Sequence, residues 1–133
     1  MVAKSTIFGL IAALAIILIV VSMTGDDSTK YVEIIGIVDE AGYNGNCVDT
    51  GCYTPSTAYV KRGSVVTMTN TDPTGIHTFT SGTVDGFSPS PDGIFDSGVL
   101  ISGDALNHKF SQNGTYDYYC MLHTWMTGKI IVS

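Results

Sequence analysis

Three residues late in the chain, Cys120, His123 and Met126, stand in a Cys-x2-His-x2-Met spacing within a single loop-sized segment, CMLHTWM. A thiolate, an imidazole and a thioether together suit copper, whereas magnesium, calcium and manganese prefer oxygen ligands. Cys120 and His123 can chelate one ion as a short pair, and Met126 can approach that ion along an axis. One in-plane ligand is still needed. His77 opens the segment His77-Thr78-Phe79-Thr80 and is the candidate. Two His, one Cys and a weak axial Met make the trigonal type 1 copper site. Taken alone, Cys120 reads as a buried, inert thiol at a strand end and Met126 as a core filler. The loop spacing and the upstream imidazole change both readings.

Composition limits the alternatives. The chain has 133 residues, three His and three Cys, six Lys/Arg against twelve Asp/Glu, and a formal net charge of −6. An acidic chain of this kind has nothing to neutralise a row of phosphates, so nucleic acid is excluded as a partner. Three imidazoles cannot build a cluster of several copper ions, and a binuclear copper loop would need a second cysteine beside Cys120. An enzymatic alternative survives: a type 1 site with an open axial position acting on a small molecule such as nitric oxide or nitrite. Met126 weighs against it by filling that position. An immunoglobulin-type adhesion domain would need a widely separated cysteine pair around a core Trp, which this chain lacks.

The elements that must hold these ligands read as all-β. Short segments rich in Val, Ile, Thr, Tyr and Phe occur at 30–39, 59–61, 65–70, 77–80, 98–101, 105–110, 115–120 and 129–132. Turn residues separate them: Asn44-Gly45, Arg62-Gly63, Asp72-Pro73-Thr74-Gly75, Pro91-Asp92-Gly93 and Asn113-Gly114. Eight short strands in about 105 residues predict a Greek-key β-sandwich. Strand alternation places Val66 and Met68 inward, with Thr67 and Thr69 facing water. It likewise places Tyr116, Tyr118 and Cys120 on one face, with Asp117 and Tyr119 on the other. His108, beside Lys109, reads as a surface strand residue. Asn113-Gly114-Thr115 matches a glycosylation sequon, but Asn-Gly between strands is first a hairpin turn.

Before this domain, residues 5–25 carry no charge, and IFGLIAALAIILIVV from Ile7 to Val21 is long enough as a helix to cross a bilayer. Lys4 precedes it and Asp26-Asp27 follow, so the positive-inside rule exports everything after Gly25. A cleaved signal and a retained anchor both fit this pattern. No good small-x-small cleavage site lies near Ser22, which favours the anchor. The expected organisation is a membrane segment over 1–25 and a copper domain over 26–133, on the extracytoplasmic side of the cell membrane as a single-pass protein, or secreted if the segment is cleaved. In an exported domain Cys47 and Cys52, left over once Cys120 is assigned to copper, are expected to pair as a disulfide.

The segments VVTMTNTDPTGIHTFTSGT, FDSGVLISGDALNHKF and GTYDYYCMLHTWMTGKIIV resemble the cupredoxins, type 1 blue copper proteins of the plastocyanin, amicyanin and halocyanin group. Together they cover most of residues 57–133, and the short copper loop is of the amicyanin kind. The resemblance implies copper ligation by His77, Cys120, His123 and Met126, and one-electron transfer between redox partners. It implies that the edge of His123 is the electron port, with Ile76, Leu122 and Trp125 as an apolar docking ring. The acidic domain would favour partners with a basic docking face. Leu122 and Thr124 stand where the group often has prolines, and Met68 where a core Trp is frequent. Unlike proline, Leu122 keeps a backbone N–H that can point at the Cys120 sulfur, beside one from Thr78.

Overall fold

The computed structural model describes residues 31–133, and the membrane segment expected over residues 1–25 lies outside them. Among the described residues no helix is long and apolar enough to cross a membrane. The described residues form nine strands in two sheets. One contains β1 (Ile34–Ile37), β2 (Tyr53–Thr54), β4 (Val65–Thr69) and β7 (Ala105–Lys109), in the order β2-β1-β4-β7. The other contains β3 (Thr57–Val60), β5 (Thr80–Asp85), β6 (Ser88–Asp96), β8 (Gly114–Tyr119) and β9 (Thr127–Val132), in the order β3-β9-β8-β5-β6. Two pairings, β1 with β4 and β3 with β9, are parallel and the rest antiparallel. The all-β sandwich is therefore present, built by a chain that crosses repeatedly between its sheets.

The core between the sheets follows the alternation of the strands. Val66 and Met68 of β4 and Ala58 and Val60 of β3 are fully buried. Tyr53, Phe79, Phe95, Phe110 and Tyr118 form a connected aromatic cluster with ring centroids 4.6–6.2 Å apart. Gly128 faces Tyr118 across β8 and β9, and the ring fills the space that a Cβ there would need. This packing stiffens the end of β8, and Cys120 follows β8 directly.

Several local expectations are corrected. The expected strand over 98–101 is a single bridge between Leu100 and His77, and β5 begins only at Thr80. Pro91-Asp92-Gly93 does not end a strand but lies inside β6, which pairs with β5 as a hairpin turning at Gly86-Phe87. The irregular residues are absorbed by a register shift, where Ser81 Oγ accepts the Phe95 N–H and donates to the Phe95 carbonyl. Tyr119, expected on the face with Asp117, is wholly buried. Burial, and the negative charges of Asp96 and Asp92 on β6, push its hydroxyl pKa up. His108 is half-buried rather than on the surface, packed on Phe110 at 4.8 Å and Phe95 at 5.2 Å.

Candidate metal centre

Two connections converge at one end of the sandwich. The link from β4 to β5 carries His77, and the link from β8 to β9 carries Cys120, His123 and Met126. The β8–β9 loop is closed on itself, with His123 N–H donating to the Cys120 carbonyl, Met126 N–H to the His123 carbonyl, and Cys120 N–H to the Met126 carbonyl. Met121 N–H donates to Thr78 Oγ1 at 2.8 Å, fastening this loop to the His77 segment. The bridge to Leu100 fixes the backbone of His77 from the other side.

Three donor atoms meet there. Cys120 Sγ lies 3.6 Å from His123 Nδ1 and 3.9 Å from His77 Nδ1, and all three lie within 4.8 Å of one another. Metal–sulfur and metal–nitrogen bonds of about 2.3 and 2.0 Å at a trigonal angle would separate sulfur from nitrogen by ~3.7 Å. The spacing thus fits a single ion held by all three. His77, Cys120 and Met126 are fully buried and His123 is partly so. Among the described residues, no other group of three His, Cys, Asp or Glu side chains meets so closely.

The electrostatics favour a thiolate. Burial raises the Cys120 pKa, but His77 and the backbone N–H groups of Thr78, Leu122 and His123 outweigh it and hold the thiol below its ordinary value. The Thr78 N–H lies 3.3 Å from the sulfur. Burial and the nearby His77 push the pKa of His123 down, which keeps its imidazole available as a neutral donor.

Behind the donors stands a residue that the sequence reading passed over as part of a turn. Asp72, wholly buried, places Oδ2 2.7 Å from His77 Nε2. Its Oδ1 accepts from Thr74 N–H, Thr74 Oγ1 and Glu40 N–H. Burial alone would raise its pKa, but these bonds, His77 first, lower it to about 2. Asn70 braces the turn, donating to the Gly75 and Leu100 carbonyls and accepting from Asp72 N–H. The available signal was the Asp-Pro-Thr-Gly turn itself, since an Asp side chain commonly accepts from the backbone two residues on.

A second unforeseen feature covers His123. The connection between β1 and β2 folds over the metal loop, and Gly42 lies so close to His123 that a Cβ there would be 2.8 Å from Cε1 and Nε2. Trp125 packs against His123 with ring centroids 5.2 Å apart and planes tilted by 51°, and it donates its indole N–H to the Ala41 carbonyl in the same connection. Cys47 and Cys52 are joined by a disulfide within it. Trp125 is therefore turned beneath the connection, while Ile76, Met121 and Leu122 are the exposed apolar residues of the donor segments. His123 also borders an open cleft with Glu40, Tyr43 and Ile76.

A β-sandwich with a buried His-Cys-His cluster and a methionine in the same loop is the architecture of a mononuclear copper protein. Residues 49–133 match the plastocyanin/azurin family of copper binding proteins, and the chain belongs to that family. Amicyanin-alpha of Methylorubrum extorquens is 39% identical over 75 residues, which are 55% of this chain and 57% of the amicyanin. The match thus spans little more than half of that relative. Among solved structures, a purple cupredoxin from Nitrosopumilus maritimus is 31% identical with a TM-score of 0.66, over 77% of this chain and all of that one. A copper-containing nitrite reductase from Thermus scotoductus is 25% identical with a TM-score of 0.55, over 75% of this chain but only 22% of the reductase. The cofactor that the donor set and the family share is one copper ion.

Proposed function

We propose that this protein is a membrane-tethered, extracytoplasmic carrier of single electrons, whose copper ion would be held by His77, Cys120, His123 and Met126. The observation that carries this reading is the convergence of one buried thiol and two imidazole Nδ1 atoms, with three backbone N–H groups favouring the thiolate. Copper in such a site supplies a Cu(I)/Cu(II) couple. The chain's own contribution is rigidity. The self-bonded β8–β9 loop, the Met121–Thr78 fastening and the His77–Leu100 bridge hold the donors in one arrangement, so little rearrangement need accompany electron transfer.

Charge distribution supports a partner with a basic docking face. Asp39, Glu40 and Asp104 lie on the connections at the metal end. Lys61, Arg62 and Lys109 lie at the opposite end, where the β3–β4 turn meets the end of β7. Such a separation orients an approaching cationic surface toward the metal end, by steering that salt weakens. Ile76, Met121 and Leu122, between 40% and 49% exposed, offer the apolar contact there. The fully buried Met126 favours a carrier over a site that takes a small substrate.

The test is the optical spectrum of residues 26–133 with Cu(II). Strong visible thiolate-to-copper absorption is expected, and Cys120→Ser should abolish it while the far-ultraviolet circular dichroism stays that of a β protein. Colour that persisted in that variant would remove Cys120 from the ligand set.

A further inference from the structure

The Asp72–His77 contact sits behind the donors, yet it touches more of the site than one ligand. A His that binds metal through Nδ1 must carry its proton on Nε2, and the acceptor of that proton sets the tautomer, the ring plane and the donor strength. Here the acceptor is a carboxylate, 2.7 Å away and shielded from water. A charged acceptor draws the Nε2 proton more strongly than a neutral one and leaves more electron density at Nδ1. Gly75 permits the approach, because a Cβ there would lie 2.7 Å from both Asp72 Oδ2 and His77 Nε2. The other carboxylate oxygen binds Glu40 N–H, two residues before the Gly42 that lies on His123. Glu40 adopts a left-handed backbone conformation, φ 59°, which side chains other than Gly, Asn and Asp seldom take.

We infer that Asp72 is a positioning residue for both copper histidines, orienting His77 directly and holding the connection that covers His123 through Glu40 N–H. This rests on the copper reading above. In consequence Asp72 strengthens Cu(II) binding more than Cu(I) binding and keeps the reduction potential below the value a neutral acceptor would allow. Asn is close in size to Asp but carries one acceptor oxygen instead of two. In Asp72→Asn, if that oxygen keeps Glu40 and Thr74, an NH2 group must face the His77 Nε2–H, donor against donor.

The experiment compares wild type with Asp72→Asn in copper-loaded protein. Loss of such a partner typically costs 10–100-fold in metal affinity. A Cu(II) affinity that falls about tenfold more than the Cu(I) affinity raises the potential by ~59 mV. The emission of Trp125, the chain's only Trp, should also move to longer wavelength in the Cu(I) form as the covering connection loosens. Blue wild-type protein with a variant of unchanged potential, Cu(II) affinity and emission would overturn the role of Asp72 alone. Wild type without thiolate-to-copper absorption would overturn the copper reading and this role with it. Should the variant fail to fold, proton NMR of Cu(I) wild type decides. A His77 Nε2–H that is far downfield and slow to exchange supports the carboxylate bond, and one exchanging as fast as an exposed imidazole overturns it.

Discussion

The indole N–H of Trp125 donates to the carbonyl of Ala41 at 3.1 Å, joining two connections 84 residues apart in sequence. One end of this bond lies in the loop with three of the four proposed ligands, and the other in the disulfide-closed connection between β1 and β2. His123 is held between them, against Trp125 on one side and Gly42 on the other. The metal end of the sandwich is thus braced from outside as well as from the core.

Leu122 offers a direct test of how the backbone tunes the thiolate. Its N–H is among the groups that hold the Cys120 thiol down, and a proline there would remove it. A hydrogen bond to sulfur weakens donation to Cu(II) and favours Cu(I). If that bond differs by about 1 kcal/mol between oxidation states, Leu122→Pro lowers the potential by roughly 40 mV. Protein-film voltammetry measures it, with the Cu(II) spectrum recorded alongside to show that His123 has stayed in place.

The Cys47–Cys52 disulfide closes a very short loop, so the chain-entropy stabilisation is modest, about 2 kcal/mol. Replacing both cysteines by serine should lower the thermal midpoint accordingly while Cys120 continues to bind copper. Alkylation without reductant, followed by mass spectrometry, should label neither residue in the native protein. Labelling of both would show that the pair is not oxidised.

His108 gives a pH dependence whose sign is fixed by its surroundings. Burial against Phe95 and Phe110 lowers its pKa in the folded state below the ordinary value of 6.5. The unfolded chain therefore takes up the proton first. The folded state loses stability as the pH falls below about 6.5, and the loss levels off below the lowered folded value. Urea unfolding of copper-loaded wild type and His108→Gln at pH 7 and pH 5 isolates this contribution. The gap in stability change between the two proteins should open on the acid side, with wild type losing more.

The hydrophobic segment from Ile7 to Val21 leads to a prediction about where the full-length chain resides. It should sediment with membranes, resist extraction by salt or carbonate, and retain its own N-terminal peptide. N-terminal sequencing that began between residues 22 and 30 would instead identify a cleaved signal and a soluble carrier.

The donors that the structure brings together, His77, Cys120 and His123, were legible because their chemistry is largely local. Cys120, His123 and Met126 lie within one loop, so their spacing alone restricts which ions they can share, and His77 is the imidazole left at the start of a β segment. The inward positions of Val66, Met68 and Tyr118 were legible for the same reason, since strand alternation is a property of consecutive residues. The β5–β6 hairpin was not, because Pro and Gly within β6 read as chain breaks until a β-bulge absorbs them. Tyr119 and His108 were misplaced because alternation assigns a face but cannot say what later covers it. Asp72 facing His77, Gly42 against His123 and Trp125 bonded to Ala41 depend on how three connections pass one another at the end of the sandwich. Those paths follow from the packing of two sheets and the order in which the chain crosses between them, and no spacing along the sequence encodes them.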